Sequence, residues 1–262
     1  MKLGMNTVIF GSVDVETALQ HVTWAGYEYV ELAAIQGMAE HIKIGDDTGR
    51  IKDLLAQHNL TVTATEAATN DRERLQGIFQ LASDIGIGIV NIGSGGTTGD
   101  EDSTKSSINL MREFAQMAGD AGVKLAVKPH VGQAIYNADT GLRLMEEVTE
   151  PAIGLNFDPS HLARANDNPA EVAPRWGSKI ITSHFRDCPV RVPGPPGTPE
   201  QQIPGRGALD LGEILQSLKN TGYAGPVNLE IIGAQGYEIS RSMGVAAEAR
   251  GYLRRCFQEI GS

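Results

Sequence analysis

The chain has 262 residues, 41% of them hydrophobic, and a formal net charge of −10 at pH 7. That length allows one large core, whereas the acidic balance argues against a nucleic-acid partner, because phosphates require a basic surface. No apolar run approaches the ~20 residues that span a bilayer, and two cysteines are too few for a disulfide framework, so the sequence predicts no membrane partner and a reducing, cytoplasmic location.

Short β-branched runs alternate with longer helical patterns along the chain. The predicted strands cover residues 3–9, 27–33, 60–66, 87–93, 123–129, 153–158, 179–185 and 226–232. The predicted helices cover residues 15–25, 48–58, 72–85, 104–121, 138–148, 169–175, 211–221 and 242–260. This alternation predicts parallel strands joined by right-handed crossovers, and eight units in ~250 residues match a closed barrel. The sequence therefore predicts an α/β fold, a single (β/α)8 TIM barrel over residues 1–262.

Glycines and capping residues support these boundaries. A glycine follows each of four predicted helices, where a left-handed cap favours it: Gly26, Gly86, Gly122 and Gly222. Asp71 and Ser103 are the predicted N-caps of the helices that follow them. An open doubly wound sheet is disfavoured, because the sequence lacks a Gly-x-Gly-x-x-Gly turn after the first strand. The segment 186–208, rich in proline and glycine, is a long loop of the kind that is usually either functional or disordered.

Chemistry-bearing side chains gather at the ends of the last four predicted strands. Lys128 and His130 end the fifth strand, Asp158 the sixth, His184 the seventh and Glu230 the eighth. Strand side chains alternate between faces, so these residues point inward while their apolar neighbours Val127, Phe157 and Leu229 face the helices. Active sites of such barrels lie at this end of the strands. Asp158, His184 and Glu230 are suitable ligands for Mn²⁺, Mg²⁺, Co²⁺ or Zn²⁺, which would stabilise an enediolate.

Several motifs resemble those of the xylose-isomerase-like barrels, the superfamily of sugar-phosphate isomerases and epimerases that includes endonuclease-IV-like proteins. The segments that carry the resemblance are Tyr29-Val30-Glu31-Leu32, Phe157-Asp158-Pro159-Ser160-His161, His184-Phe185-Arg186-Asp187 and Pro204-Gly205-Arg206-Gly207-Ala208-Leu209-Asp210, together with Glu230. The resemblance implies that Asp158, His184 and Glu230 are metal ligands, and that Glu230 is also a catalytic base. It further implies that His161 hydrogen-bonds either the substrate or a residue that contacts the substrate, and that the protein forms dimers or tetramers.

One position departs from the family pattern. Lys128 occupies the position of the glutamate that ends the fifth strand in this family. Its ammonium would substitute electrostatically for the metal, or a bound cation would lower its pKa and make it a neutral base. A third alternative is that His130 or Glu66 supplies the missing ligand. The three remaining ligands favour a retained divalent metal, because three protein ligands and an open position suffice for catalysis.

The sequence therefore predicts an isomerase or epimerase that acts on a small sugar. Glu230 is the predicted base, with Lys128 or His130 as its catalytic partner. The predicted substrate-binding residues are His161, Glu66, Glu31, Arg186 and Arg191, the two arginines for a phosphate or carboxylate. A lyase or dehydratase that uses the same enolisation on a keto-sugar or 3-keto-glycoside is the alternative. A DNA-repair endonuclease and a non-catalytic binding barrel are more distant alternatives.

Overall fold

A computed structural model describes residues 1–189 and 194–261, and in them eight parallel strands form a closed barrel. The barrel strands are β1 (Lys2–Asn6), β2 (Tyr29–Ile35), β3 (Thr61–Glu66), β4 (Ile89–Gly93), β5 (Lys124–Lys128), β6 (Ile153–Phe157), β7 (Ile180–Phe185) and β8 (Pro226–Leu229). β1 pairs with β2 on one side and with β8 on the other, which closes the sheet. A short strand, Ala39–Glu40, pairs antiparallel with the end of β2 and is not one of the eight barrel strands. The predicted single TIM barrel is confirmed.

Helices alternate with the strands and cover the outside of the barrel. In the described residues they are α1 (Val15–Trp24), α2 (Thr48–Gln57), α3 (Arg72–Ile85), α4 (Glu101–Asp120), α5 (Ala138–Glu147), α6 (Pro159–Arg164), α7 (Pro169–Trp176), α8 (Leu211–Asn220) and α9 (Ile239–Glu259). Each of the four predicted helix-ending glycines has φ between 76° and 92°. This is the left-handed conformation that favours glycine. Among these helices, none combines the length and apolarity that crossing a membrane requires.

Several predicted boundaries differ from the observed ones, and two of these differences have a clear local reason. The first strand ends at Asn6 because the Asn6 side chain accepts a hydrogen bond from Val8 N at 2.9 Å and starts a 3-10 helix over Thr7–Phe10. Helix α4 begins at Glu101 because Asp100, rather than Ser103, is its N-cap. Helix α6 was not predicted at all. Short helices of this kind carry too few residues to show a helical period.

The outer faces of the strands pack against the helices as the alternation predicts. The ring of Phe157 lies 6.0 Å from that of Trp176 on α7, in an edge-on arrangement, and 6.2 Å from that of Phe185. All three rings are buried. Burial of aromatic side chains contributes strongly to the stability of such a layer. These three rings therefore form part of the core between β6, β7 and α7.

Asp187 fastens the long segment after β7 to the barrel. Its Oδ1 accepts from the backbone N–H groups of Cys188 at 2.9 Å and Leu209 at 3.1 Å, and its Oδ2 accepts from that of Gly205 at 3.0 Å. These bonds hold the two ends of the segment together. Arg191 lies outside the described residues, so its predicted contact with a phosphate or carboxylate stays a prediction.

Candidate active site

A pocket of about 260 Å³ opens at the carboxyl ends of the strands. Predicted site residues that line it are Glu66, Lys128, His130, His161, Arg186 and Glu230. Ile35, Met38 and Ile232 add apolar lining. A concave site that combines apolar walls with a few convergent polar groups is typical of small-molecule binding. The structure thus brings together residues that lie far apart in the sequence.

The ammonium of Lys128 is at the centre of the pocket floor. Its Nζ lies 2.8 Å from Oε1 of Glu66, 2.8 Å from Oε1 of Glu230 and 3.3 Å from Nδ1 of His184. Burial alone would lower the pKa of Lys128, but the carboxylates of Glu230 and Glu66 outweigh burial and raise it above its usual value. Lys128 is therefore a cation at neutral pH.

Glu230 is surrounded by positive charge. Its Oε2 accepts from Nη1 of Arg186 at 2.6 Å, and its Oε1 lies 3.2 Å from Nδ1 of His184 as well as accepting from Lys128. Burial alone would raise the pKa of Glu230, but Lys128, Arg186 and His184 lower it well below its usual range. Glu230 is therefore ionised across the physiological pH range.

Glu66 faces fewer cations. Its Oε1 accepts from Lys128, and its Oε2 accepts from the Asn6 amide at 2.8 Å. Burial raises the pKa of Glu66, the nearby charge of Glu230 adds to this, and the result is a pKa of about 7. A carboxyl group with this pKa gains and loses a proton near neutrality, which is the property of an effective acid–base catalyst.

Arg186 separates Asp158 from the rest of the cluster. Its Nη2 lies 3.6 Å from Asp158 Oδ2, while its Nη1 bonds Glu230. Asp158 Oδ1 accepts from the backbone N–H of His161 at 3.1 Å, because Asp158 is the N-cap of α6. Asp158 Oδ2 is buried without a hydrogen-bond partner among the described residues.

A buried layer of polar side chains inside the barrel orients His184. Its Nε2 lies 2.6 Å from Oε2 of Glu31. Glu31 is held in turn by the amides of Asn91 and of Asn228, the latter at 3.0 Å. Burial alone would lower the pKa of His184, but the carboxylates of Glu31 and Glu230 outweigh burial and raise it to about 10. Glu31 therefore lies beneath the pocket floor and fixes His184, whereas it was predicted to bind substrate.

Two histidines form another side of the pocket. The rings of His130 and His161 lie with centroids 4.0 Å apart and their planes tilted by 38°. His130 Nδ1 is 2.8 Å from the Val131 carbonyl oxygen, which accepts a hydrogen bond from Nδ1–H, so Nε2 of the neutral ring is an acceptor. Burial lowers the pKa of both histidines, and Lys128 adds to this for His130 and Arg186 for His161. Both rings are therefore neutral.

The residues that come together as potential metal donors differ from the predicted set. Glu66, His184 and Glu230 offer ligand atoms within 4.8 Å of one another, and Asp158 is not in this group of described residues. Capping of α6 and the facing guanidinium hold Asp158 apart from it. This donor set suits a divalent metal by its chemistry.

The position of Lys128 conflicts with an ion at these donors. Its Nζ already contacts Glu66 Oε1, Glu230 Oε1 and His184 Nδ1. Zinc needs donor atoms at about 2.0–2.2 Å, so an ion bound by all three residues and the ammonium would require the same space. Repulsion between a divalent ion and an ammonium 4 Å apart is roughly 8 kcal/mol at an effective dielectric constant of 20. With Lys128 in this position the residues do not fit a metal.

Sequence reasoning missed two of the three amides that position the carboxylates, Asn6 and Asn91. Asn6 ends β1, and Asn91 and Asn228 lie on inward-facing positions of β4 and β8. The period of two that turns Glu230 inward turns Asn228 inward with it, as the sequence predicts. Nothing in a single sequence distinguishes Asn6 and Asn91 from ordinary surface amides.

Two curated proteins and one solved structure are similar to this chain over half of its length or more. The inosose isomerase of Halalkalibacterium halodurans is 24% identical over 240 residues, which cover 85% of this chain and 84% of that protein. The inosose dehydratase of Clostridium botulinum is 23% identical over 157 residues, which cover 56% of this chain and about half (52%) of that protein. A crystal structure of the IOLI protein with a zinc atom has a TM-score of 0.80 at 20% identity and covers 98% of this chain and 99% of that one.

These relatives include both an isomerase and a dehydratase, the two activities predicted as main function and alternative. The predicted family of carbohydrate enzymes is thereby confirmed. A family model described as a xylose isomerase-like TIM barrel matches residues 19–256. The chain belongs to the xylose isomerase-like TIM barrel family.

Proposed function

We propose that this protein is a carbohydrate isomerase or epimerase that removes a proton from the carbon next to a carbonyl. The observation that carries the proposal is the pair of buried carboxylates, Glu66 and Glu230, each 2.8 Å from the Lys128 ammonium on the pocket floor. A base and a cation so close together can take a proton from carbon while the charge that develops on oxygen is stabilised.

Glu66 and Glu230 take different parts in this proposal. Glu66, with its pKa of about 7, is the acid–base group. Glu230 was predicted as the base, but three cations make it a weak one. It holds Lys128 and Arg186 in place instead. His130, whose Nε2 is free of a proton, is the second group for proton exchange on another side of the pocket.

Arg186 and His161 are the proposed contacts for a substrate oxygen. Arg186 Nη2 lies 2.9 Å from His161 Nε2, and the backbone N–H of Val131 donates to His161 Nδ1 at 3.2 Å. A neutral imidazole has one N–H, so it cannot accept at both nitrogens. One nitrogen of His161 therefore meets a donor with its own N–H. A carbonyl or hydroxyl oxygen inserted here would accept from both groups and remove the conflict.

The test is exchange of carbon-bound hydrogen in D₂O. Incubation with 2-keto sugars, 3-keto sugars and inososes should give deuterium at the carbon next to the carbonyl of one of them, detected by NMR. The Glu66→Gln variant should lose this exchange, because the amide keeps the shape of the side chain but cannot accept the proton. Absence of exchange on every compound, with folded protein, would contradict the proposal.

Elimination is the second candidate, because the similar dehydratase carries that activity in its name. It begins with the same proton abstraction, so it would use the same Glu66 and Lys128. Appearance of an unsaturated product with loss of water, rather than an isomer, would identify it in the same reaction mixtures. A divalent metal at Glu66, His184 and Glu230 is the alternative to the ammonium. A cytoplasmic location, a homo-oligomer and the lack of nucleic-acid or membrane partners stay predictions.

A further inference from the structure

We infer that the ammonium of Lys128 is the resident cation of this site and replaces a divalent metal in stabilising the substrate oxygen. This deepens the proposed function, on which it depends only for the identity of that oxygen. Three observations carry it: the position of the ammonium, its access to the pocket and the balance of charge around it.

The Lys128 ammonium occupies the place that a metal ion would take among the three potential ligands. Its Nζ touches one atom from each of the three residues that form the potential metal group, Glu66, His184 and Glu230. Glu66 ends β3, His184 is the penultimate residue of β7, and Glu230 directly follows β8. Lys128 ends β5, and Gly93, its partner across the sheet, ends β4. The lysine therefore reaches the donors from the rim position where the family resemblance places a glutamate.

The ammonium also has access to substrate. An ammonium has three N–H donors, and two of them serve Glu66 and Glu230. Lys128 lines the pocket although its side chain is only 7% exposed. A pocket that excludes water strengthens the attraction between a fixed cation and an oxygen that gains charge. The third N–H has only the longer contact with His184 Nδ1, at 3.3 Å, and is therefore the donor placed to serve a carbonyl oxygen.

The third observation is the balance of charge on the pocket floor. The carboxylates of Glu230 and Glu66 both contact Lys128. The other oxygen of Glu230, Oε2, accepts from Nη1 of Arg186 at 2.6 Å.

His184, a third cation, is paired with Glu31 beneath the floor. Asp158 adds a fourth carboxylate, 3.6 Å from Arg186. Three cations thus already face four carboxylates. A further divalent ion would make the group positive and would have to displace the ammonium from both carboxylates that it contacts.

The chemical step needs no other reactant. The Glu66 carboxylate takes the proton from the carbon next to the carbonyl, and the electron pair of that C–H bond forms the carbon–carbon double bond. The carbonyl π electrons move to oxygen, which accepts a hydrogen bond from the Lys128 ammonium. Lys128 keeps its proton throughout. Return of a proton to the same carbon from the opposite face gives the epimer. Return to the former carbonyl carbon, with transfer of the neighbouring hydroxyl proton to the enolate oxygen, gives the isomer.

The experiment compares metal binding by the wild type, Lys128→Glu and Lys128→Gln, with Lys124→Glu as the control. Lys124 begins the same strand and is exposed, outside the site. Each protein is purified without chelator for elemental analysis and then titrated calorimetrically with Zn²⁺ and Mn²⁺. The wild type and the control should contain little metal. Lys128→Glu should bind Zn²⁺ about 100-fold more tightly or better, because a repelling charge becomes an attracting one.

These measurements use no sugar, so they decide the inference even if the proposed reaction is wrong. Thermal unfolding with and without Zn²⁺ shows whether Lys128→Glu is folded and stabilised by the ion. If it does not fold, Lys128→Gln, which removes the charge and shortens the side chain, should still gain affinity over the wild type. Stoichiometric metal in the wild type, or folded Lys128 variants that gain no affinity, would overturn the inference.

Once a substrate is known, activity measurements provide a second test of the inference. Chelator should leave the wild-type rate unchanged, whereas Lys128→Gln should lower kcat about 100-fold, the effect of removing one preorganised charge from a transition state. A wild-type rate that chelator abolishes and one metal restores would also overturn the inference.

Discussion

The two sides of the pocket floor present the same functional group in different electrostatic surroundings. On the β3 side, Glu66 meets Lys128 and the neutral amide of Asn6. On the β7–β8 side, Glu230 meets Lys128, Arg186 and His184. Both carboxylates are buried and both lie 2.8 Å from the same ammonium. The pKa of Glu66 is nevertheless raised to about 7, while that of Glu230 is well below its usual range.

The difference shows that burial alone does not set the role of a buried carboxyl group. Desolvation raises the pKa in both cases, and the number of cations in contact decides whether it is overcome. One shared ammonium leaves Glu66 able to carry a proton. Two further cations make Glu230 a permanent anion, suited to hold charged groups in place.

The largest expected effect is the loss of activity when Glu66, the acid–base group on the β3 side, is replaced. Glu66→Gln should lower kcat/KM by ~1,000-fold, within the range for loss of a general base. Deuterium exchange and product formation measure it. Glu73→Gln, an exposed position in the first turn of the following helix, is the control and should keep wild-type rates. Unchanged exchange in Glu66→Gln would assign the base elsewhere.

The next effect concerns stability on the β7–β8 side. Arg186→Met should destabilise the protein by ~3 kcal/mol, because it leaves the Glu230 carboxylate buried with fewer partners. Urea unfolding measures this. The exposed pair Arg206 and Glu248 provides the contrast, since Arg206→Met should cost at most ~1 kcal/mol. Equal costs for the two variants would mean that burial of the first pair has no energetic consequence.

A smaller effect comes from His184 and its partner Glu31. The pKa of His184 is raised to about 10 in the folded protein, so its contribution to stability is present below the unfolded value of 6.5 and is lost as pH rises from there to about 10. Glu31→Gln removes the leading cause of that shift. Between pH 7 and pH 9 the wild type should lose up to ~2 kcal/mol more unfolding free energy than the variant. Parallel pH dependence of the two proteins in urea unfolding would refute this.

The smallest expected effect is a change in the pKa of Glu66 when the charge of Glu230 on the other side is removed. The charge of Glu230 contributes to the raised pKa of Glu66, so Glu230→Gln should lower the pKa of Glu66 below about 7. A shift of roughly one unit corresponds to 1.4 kcal/mol. Carbon-13 NMR titration of the Glu66 carboxyl group measures it. In the wild type, activity should accordingly fall about tenfold per pH unit below this pKa, as the base becomes protonated. A pKa of Glu66 that is unchanged or raised in the variant would contradict the coupling.

The sequence by itself determined the barrel and the half of the rim that β5 to β8 supply. Alternation of strand and helix patterns requires parallel strands, and parallel strands place their carboxyl ends at one edge. The period of two along each strand then turns Lys128, His184 and Glu230 inward. These are local properties that a single sequence displays.

Only the tertiary structure decided what Lys128 binds. Glu66 is 62 residues away from it, and the barrel brings the two into contact across β4. Asp158 illustrates the opposite case, because a local capping bond and the Arg186 guanidinium keep it out of the group that it was predicted to join. Contact distances and the count of neighbouring charges depend on closure of the barrel, and no pattern along the chain encodes them.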